Sequence, residues 1–208
     1  YCLLPTCICF SQQNLRSHPL ISGKKEVKTQ CIVQDHSRTM WIGTESGLVS
    51  YNGIAYHLFL EKEGLAHPSV TALFESADST LWIGHGNGRI TLYKEGVFSP
   101  FPFQDTLNKN RITSFISDSQ KNIWIGTYGS GAYKYDGKSL VKYTTENGLG
   151  DDYVYTLSEA APGSIWMGTD AGITVLNENA KSEKEKFSRI TTKNGLPDNI
   201  VQIISKDK

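Results

Sequence analysis

The chain has 208 residues with 21 basic and 21 acidic side chains, so its formal charge is zero and no broad positive field is available to hold nucleic acid. A hydrophobic content of 38% supports a sizeable core and excludes a disordered tail. Nineteen glycines, ten tyrosines and four tryptophans against two methionines favour short strands joined by tight turns, an all-β protein.

The chain opens with "YCLLPTCICFSQQ", which holds Cys2, Cys7 and Cys9. Residues 1–11 are expected to be the apolar end of a secretory signal that starts before Tyr1, cut after Cys9-Phe10-Ser11 to leave Gln12 in front. Lipoprotein processing at Cys7 fits less well, because Pro5 and Thr6 match that pattern poorly. Residues 12–26 then form a lead-in. Cys31 is left without a cysteine partner and is expected to be a buried thiol serving as a small apolar side chain. No run reaches the roughly 18 apolar residues that span a bilayer.

From residue 27 the sequence repeats. "WIGTESG" from Trp41 returns as "WIGHGNG" from Trp82, "WIGTYGSG" from Trp124 and "WMGTDAG" from Trp166, at spacings of 41, 42 and 42 residues. Ahead of the last three lie alternating runs, "VTALFES", "ITSFISD" and "VYTLSEA", the mark of a first strand. The Trp block is a second strand. "GLVSY", "GRITLY", "GAYKY" and "GITVL" are a third, and "AYHLFL", "VFSPFPF", "LVKYT" and "FSRIT" a fourth after turns such as Asn52-Gly53 and Asp136-Gly137. Four antiparallel strands per period predict β-propeller blades that stack through their Trp and aliphatic positions.

The glycines after each Trp lie between strands, so they are not a phosphate cradle, which needs a strand leading into a helix. Gly43, Gly84, Gly126 and Gly168 are instead expected where a missing Cβ lets neighbouring strands or blades approach. Connectors precede the first strands: "GLAHPS", "GLGDDY" and "GLPDNI", weakened to "TLNKNR" from Thr106. The fourth period is about five residues longer, with the surplus assigned to a solvated turn in the charged run at 177–186. The pattern predicts four complete blades and the opening strand of a fifth from Val201, with the next Trp due at about residue 213. The chain is thus expected to be an N-terminal piece of a longer propeller.

"WIGT", "GL" and "NGLPDN" in this order and spacing resemble the two-component regulator propeller repeat over residues 27–208. Departures are His85 for the usual Thr, the connector at Thr106 and a weak "SGKKEV" before the first blade. The resemblance implies an exported, periplasmic sensor region of a hybrid histidine kinase of Bacteroidetes type. Further blades, a β-sandwich, a membrane span and a cytoplasmic kinase would follow as partners, with homodimerisation a further expectation. The implied ligand is an oligosaccharide or another small molecule.

Loops between second and third strands, and connectors between fourth and first strands, are expected at one end of the channel. Candidate ligand contacts there are Glu45, His85, Asn87, Tyr128 and Asp170 after the Trp blocks, and His67, Arg111, Asp152 and Tyr153 in the connectors. Aromatic and polar groups on rigid strand ends suit sugar binding; the plain alternative for each is a wet turn. No cofactor is implied. The histidines show no metal spacing, and "GTYGSG" around Ser130 lacks a nucleophile elbow. "SADSTLW" from Ser76 falls one residue and a glycine short of a sialidase box, and only Arg111 and Arg89 fall near the ligand face. A structural or secretion-associated scaffold is the non-enzymatic rival.

Overall fold

The computed structural model describes residues 28–107 and 109–205. The expected signal segment 1–11, the lead-in 12–26 and residues 206–208 lie outside the described residues. Four sheets of four antiparallel strands follow one another along the chain, each in simple sequential order. The first is β1 (Thr29–Gln34), β2 (Met40–Thr44), β3 (Gly47–Tyr51) and β4 (Tyr56–Phe59). The second is β5 (Val70–Glu75), β6 (Leu81–His85), β7 (Ile90–Lys94) and β8 (Val97–Pro100). The third is β9 (Ile112–Ser117), β10 (Ile123–Thr127), β11 (Ala132–Tyr135) and β12 (Leu140–Tyr143). The fourth is β13 (Val154–Ala161), β14 (Ser164–Thr169), β15 (Gly172–Asn177) and β16 (Phe187–Ile190). These are propeller blades, and the first strands β1, β5, β9 and β13 lie side by side.

The core is held between blades. Trp41 packs with Val70, Leu81 and Ile83 of the second blade. Trp82 packs with Ile112, Phe115 and Tyr133 of the third, and Trp124 with Leu157, Ile165 and Met167 of the fourth. Burying one indole removes about 200 Å² from water, an upper limit of about 5 kcal/mol. Three of the indole N–H groups are also anchored in their own blades: Trp41 to Asp35 at 2.8 Å, Trp82 to Ser76 at 3.1 Å and Trp124 to Asp118 at 2.8 Å. Trp166 stands apart. It is only half-buried, and the equivalent acceptor position is Ala160.

The glycine two residues after each Trp receives the first residue of the following blade. A Cβ would lie 2.6 Å from a methyl of Val70 at Gly43, 2.6 Å from one of Ile112 at Gly84, 3.3 Å from one of Val154 at Gly126 and 2.5 Å from the Val201 carbonyl at Gly168. The side chain that glycine lacks would hold the blades apart. Cys31 packs against the core of the first seam but is half-buried rather than buried: its thiol lies against the Val70 carbonyl at 3.8 Å, and desolvation pushes it up to about 12.

Two further expectations are corrected. Residues 201–205 follow the path of a fifth first strand, with Val201 N–H donating to the Thr169 carbonyl at 3.0 Å, but they form no ladder. In the other four blades a first strand pairs with the second strand that follows it, and no such strand follows among the described residues. The charged surplus in the fourth blade is not a plain turn, since Glu183–Lys186 forms one helical turn before β16.

Candidate functional site

The loops and connectors do converge at one end, where the backbone laces them together. Glu45 N–H donates to Lys28 carbonyl at 3.2 Å, Gly86 to Ser69 at 3.0 Å, Tyr128 to Arg111 at 2.9 Å and Gly172 to Asn199 at 2.7 Å. Asp152 carbonyl accepts from both Gly129 and Gly131, at 3.1 and 2.9 Å. Each connector is itself stiffened. The 3-10 turns Glu61–Glu63, Thr145–Asn147 and Thr192–Asn194 are capped by Glu63, Asn147 and Asn194 side chains accepting N–H groups of Leu60, Thr144 and Thr191. Leu65 and Leu149 then drop into the core. The degenerate connector does the same without glycine, through Leu107.

On this scaffold Tyr128, Tyr153 and Asp170 come together. Tyr128 and Tyr153 form an isolated antiparallel bridge, and their rings meet edge to face at 4.8 Å with 48% and 41% of each residue exposed. Tyr155, which sequence reasoning left among the strand residues, completes the cluster 6.0 Å from Tyr128. Its hydroxyl donates to Asp170 Oδ1 at 2.9 Å. Burial, then the Asp170 carboxylate, pushes that phenol up to about 12.

A signal for Tyr155 was present. The second residue of each first strand is Gln30, Thr71, Thr113 and Tyr155. The hydroxyls of Thr71 and Thr113 donate to the next blade's Ile112 and Val154 carbonyls at 2.7 and 2.6 Å. Tyrosine at this position gives up that clamp and turns its ring to the loop end. A local break in a repeat is where function is expected.

The other candidates are dispersed or already engaged. Glu45 is exposed on the first blade and Asn87 is half-buried on the second, where its side chain accepts Arg89 N–H at 3.1 Å. Arg111 reaches away from the tyrosines to Gln30 Oε1 at 3.3 Å. The Asp152 carboxylate accepts Thr145 N–H at 2.8 Å, so it braces the connector.

His85 is wholly buried, with its Nε2 2.8 Å from Thr91 Oγ1. That hydroxyl also accepts Ala66 N–H at 3.0 Å, so it ties the imidazole to the connector backbone. Nδ1 has no partner among the described residues. Burial pushes the imidazole down to about 4, with His67 and Arg89 acting in the same direction. His67 sits beside it, ring centres 6.4 Å apart.

A groove of ≈ 510 Å³ lies at the opposite end, between the first two blades. Most of its charged groups are engaged: His36 Nδ1 meets Glu75 at 2.6 Å, Lys94 meets Asp78 at 2.8 Å, and Asp35 accepts the Trp41 indole N–H at 2.8 Å. Among the described residues, no group of three or more His, Cys, Asp or Glu is placed to hold a metal.

Residues 106–129 match the family described as two component regulator propeller, a span from the degenerate connector through the third Trp block. The chain is 29% identical over 154 residues to histidine kinase P4 of Formosa agariphila, covering 66% of this chain and 11% of that protein. Its fold is similar to the extracellular domain of a hybrid two-component system from B. thetaiotaomicron, with a TM-score of 0.75, 19% identity, and coverage of 93% of this chain and 27% of that one. It is also similar to virginiamycin B lyase from Staphylococcus aureus, with a TM-score of 0.60, 10% identity and coverage of 84% and 60%. The chain thus spans a small part of the kinase, and the fold alone does not separate sensor from enzyme.

Proposed function

We propose, for a chain that carries a two-component regulator propeller repeat, that it is part of the extracytoplasmic ligand-sensing propeller of a hybrid sensor histidine kinase, with a saccharide as ligand. The single observation that carries the reading is the half-exposed Tyr128 and Tyr153 pair, held by laced loops beside Tyr155, which stands where the second and third blades have a clamping threonine. Rigid, partly exposed aromatic rings beside a carboxylate offer a stacking face and a hydrogen-bond acceptor, as a sugar requires. The kinase relative and the extracellular neighbours support the sensor context and a location outside the cytoplasm.

The ligand acts by binding, and its energy biases two arrangements of the receptor. Further blades, the signalling domains and a second copy of the receptor are the partners through which such a bias would travel. The test is calorimetric titration of the full chain with a panel of neutral and charged oligosaccharides, together with an assay for their cleavage. Saturable binding that Tyr128→Ala weakens at least tenfold, without turnover, is the expected result. Glycoside turnover would make the protein an enzyme, and binding to no saccharide would favour a scaffold.

A further inference from the structure

We infer that the tyrosine platform between the third and fourth blades prefers a saccharide bearing a free amine, an amino sugar in its ammonium form, over neutral or anionic sugars. The inference rests on the saccharide reading above and narrows the ligand class of the same site. Three tyrosine rings meet there, Tyr128 with Tyr153 at 4.8 Å and 73°, and Tyr128 with Tyr155 at 6.0 Å and 63°. The face of such a ring is electron-rich and attracts an ammonium group.

Two carboxylates sit among the rings. Asp170 uses Oδ1 to accept the Tyr155 hydroxyl at 2.9 Å, and Asp151 uses Oδ1 to accept Tyr153 N–H at 2.8 Å. Neither has an ion-pair partner among the described residues. Both act on the Tyr155 phenol and help to push it upward, which places their negative charge on the platform itself.

The cation that a connector could have supplied is directed elsewhere, because the Arg111 guanidinium contacts Gln30 of the first blade at 3.3 Å. Arg189, beside Gly150, spends its guanidinium on the Leu149 carbonyl at 3.2 Å and forms no ion pair with either carboxylate. Aromatic faces with two carboxylates outside any ion pair form a site of negative potential. A uronate or a sulfated sugar would be repelled, a neutral sugar would gain stacking and hydrogen bonds, and an ammonium would add charge attraction to both.

The test titrates the full chain at mildly acidic pH with chitosan oligosaccharide, the N-acetylated oligomer of equal length, an oligogalacturonate and trilysine. The free-amine oligomer is expected to bind about tenfold more tightly than its acetylated counterpart, an advantage that added salt erodes. Asp170→Asn is expected to narrow that ratio below about threefold. Asp151→Asn provides the same readout should the first variant fail to fold.

Equal or tighter binding of the acetylated or galacturonate oligomer overturns the amine preference and leaves the saccharide reading standing. An undiminished ratio in both variants overturns it as well. Binding of trilysine with no saccharide bound would assign the platform to basic peptides and overturn the choice of sugar. Binding of none of the four overturns this inference together with the reading on which it rests.

Discussion

At the scale of single residues, the repeat makes each exception measurable against three equivalents. Thr44, Thr127 and Thr169 close their loops by donating to the carbonyls of Gly47, Gly131 and Gly172 at 2.8, 2.6 and 2.9 Å. His85 stands in the same place but is buried neutral, its pKa pushed down to about 4 from an ordinary value near 6.5. The unfolded chain therefore takes up a proton that the fold refuses. Its contribution to stability is complete above pH ~6.5 and is lost as pH falls from there through about 4. His36 opposes it: its hydrogen bond to Glu75 raises its pKa, so its contribution is present at low pH and lost as pH rises. Between about pH 7 and about pH 5 the His85 term costs on the order of 2 kcal/mol. Denaturant midpoints are expected to fall with acid in the parent chain and to fall less in His85→Thr. An unchanged slope would show that the imidazole is solvated in the fold.

The exception itself was legible, because "WIGHGNG" departs from "WIGT". Its burial was not, because that depends on the connector backbone from Ala66 to Ser69 folding over the ring. The indole anchors were hidden for a different reason. Asp35, Ser76 and Asp118 share a role but not a residue type, and the fourth blade offers Ala160.

At the scale of elements, the hairpins carry the strongest local constraint. Gly131 stands between β10 and β11 with φ +76°, and a Cβ there would lie 2.0 Å from the Tyr143 carbonyl oxygen of β12. Gly137, in the tip between β11 and β12, has φ +91° with no neighbour within 4 Å. Alanine at Gly137 meets only the left-handed backbone cost of about 1–2 kcal/mol. Alanine at Gly131 adds a clash that must separate two paired strands, for a total of about 3 kcal/mol or more. Urea denaturation of the two variants measures the difference; equal losses would mean that β12 yields without cost. The second, third and fourth strands were readable from the Trp beat and the turn glycines. The first strand of the first blade was not marked, since "TQCIVQ" follows a weak connector. The connector at Thr106 had lost its glycine signal but kept the side chain that matters, Leu107 in the core.

At the scale of the whole molecule, stability is a chain of seams, and a change in one seam is felt chiefly by the blades on either side. Trp124 is fully buried in the seam of the third and fourth blades and bonded to Asp118, whereas Trp166 is half-buried and has no such anchor among the described residues. Trp124→Ala is expected to cost about 3–5 kcal/mol, and Trp166→Ala less than half as much. Hydrogen exchange after Trp124→Ala should show β13 to β15 losing protection while β5 and β6, whose seam with the first blade rests on Trp41, keep theirs. Uniform loss along the chain would mean that the blades open together.

The proposed platform straddles this same seam, with Tyr128 supplied by the third blade and Tyr153, Tyr155 and Asp170 by the fourth or its connector. A ligand that touches both sides must favour the closed seam, because parting the blades would separate its contacts. The same amides of β13 to β15 that Trp124→Ala exposes are therefore the ones a bound saccharide should protect. In this way a ligand bound at the proposed platform would change how tightly two blades are held.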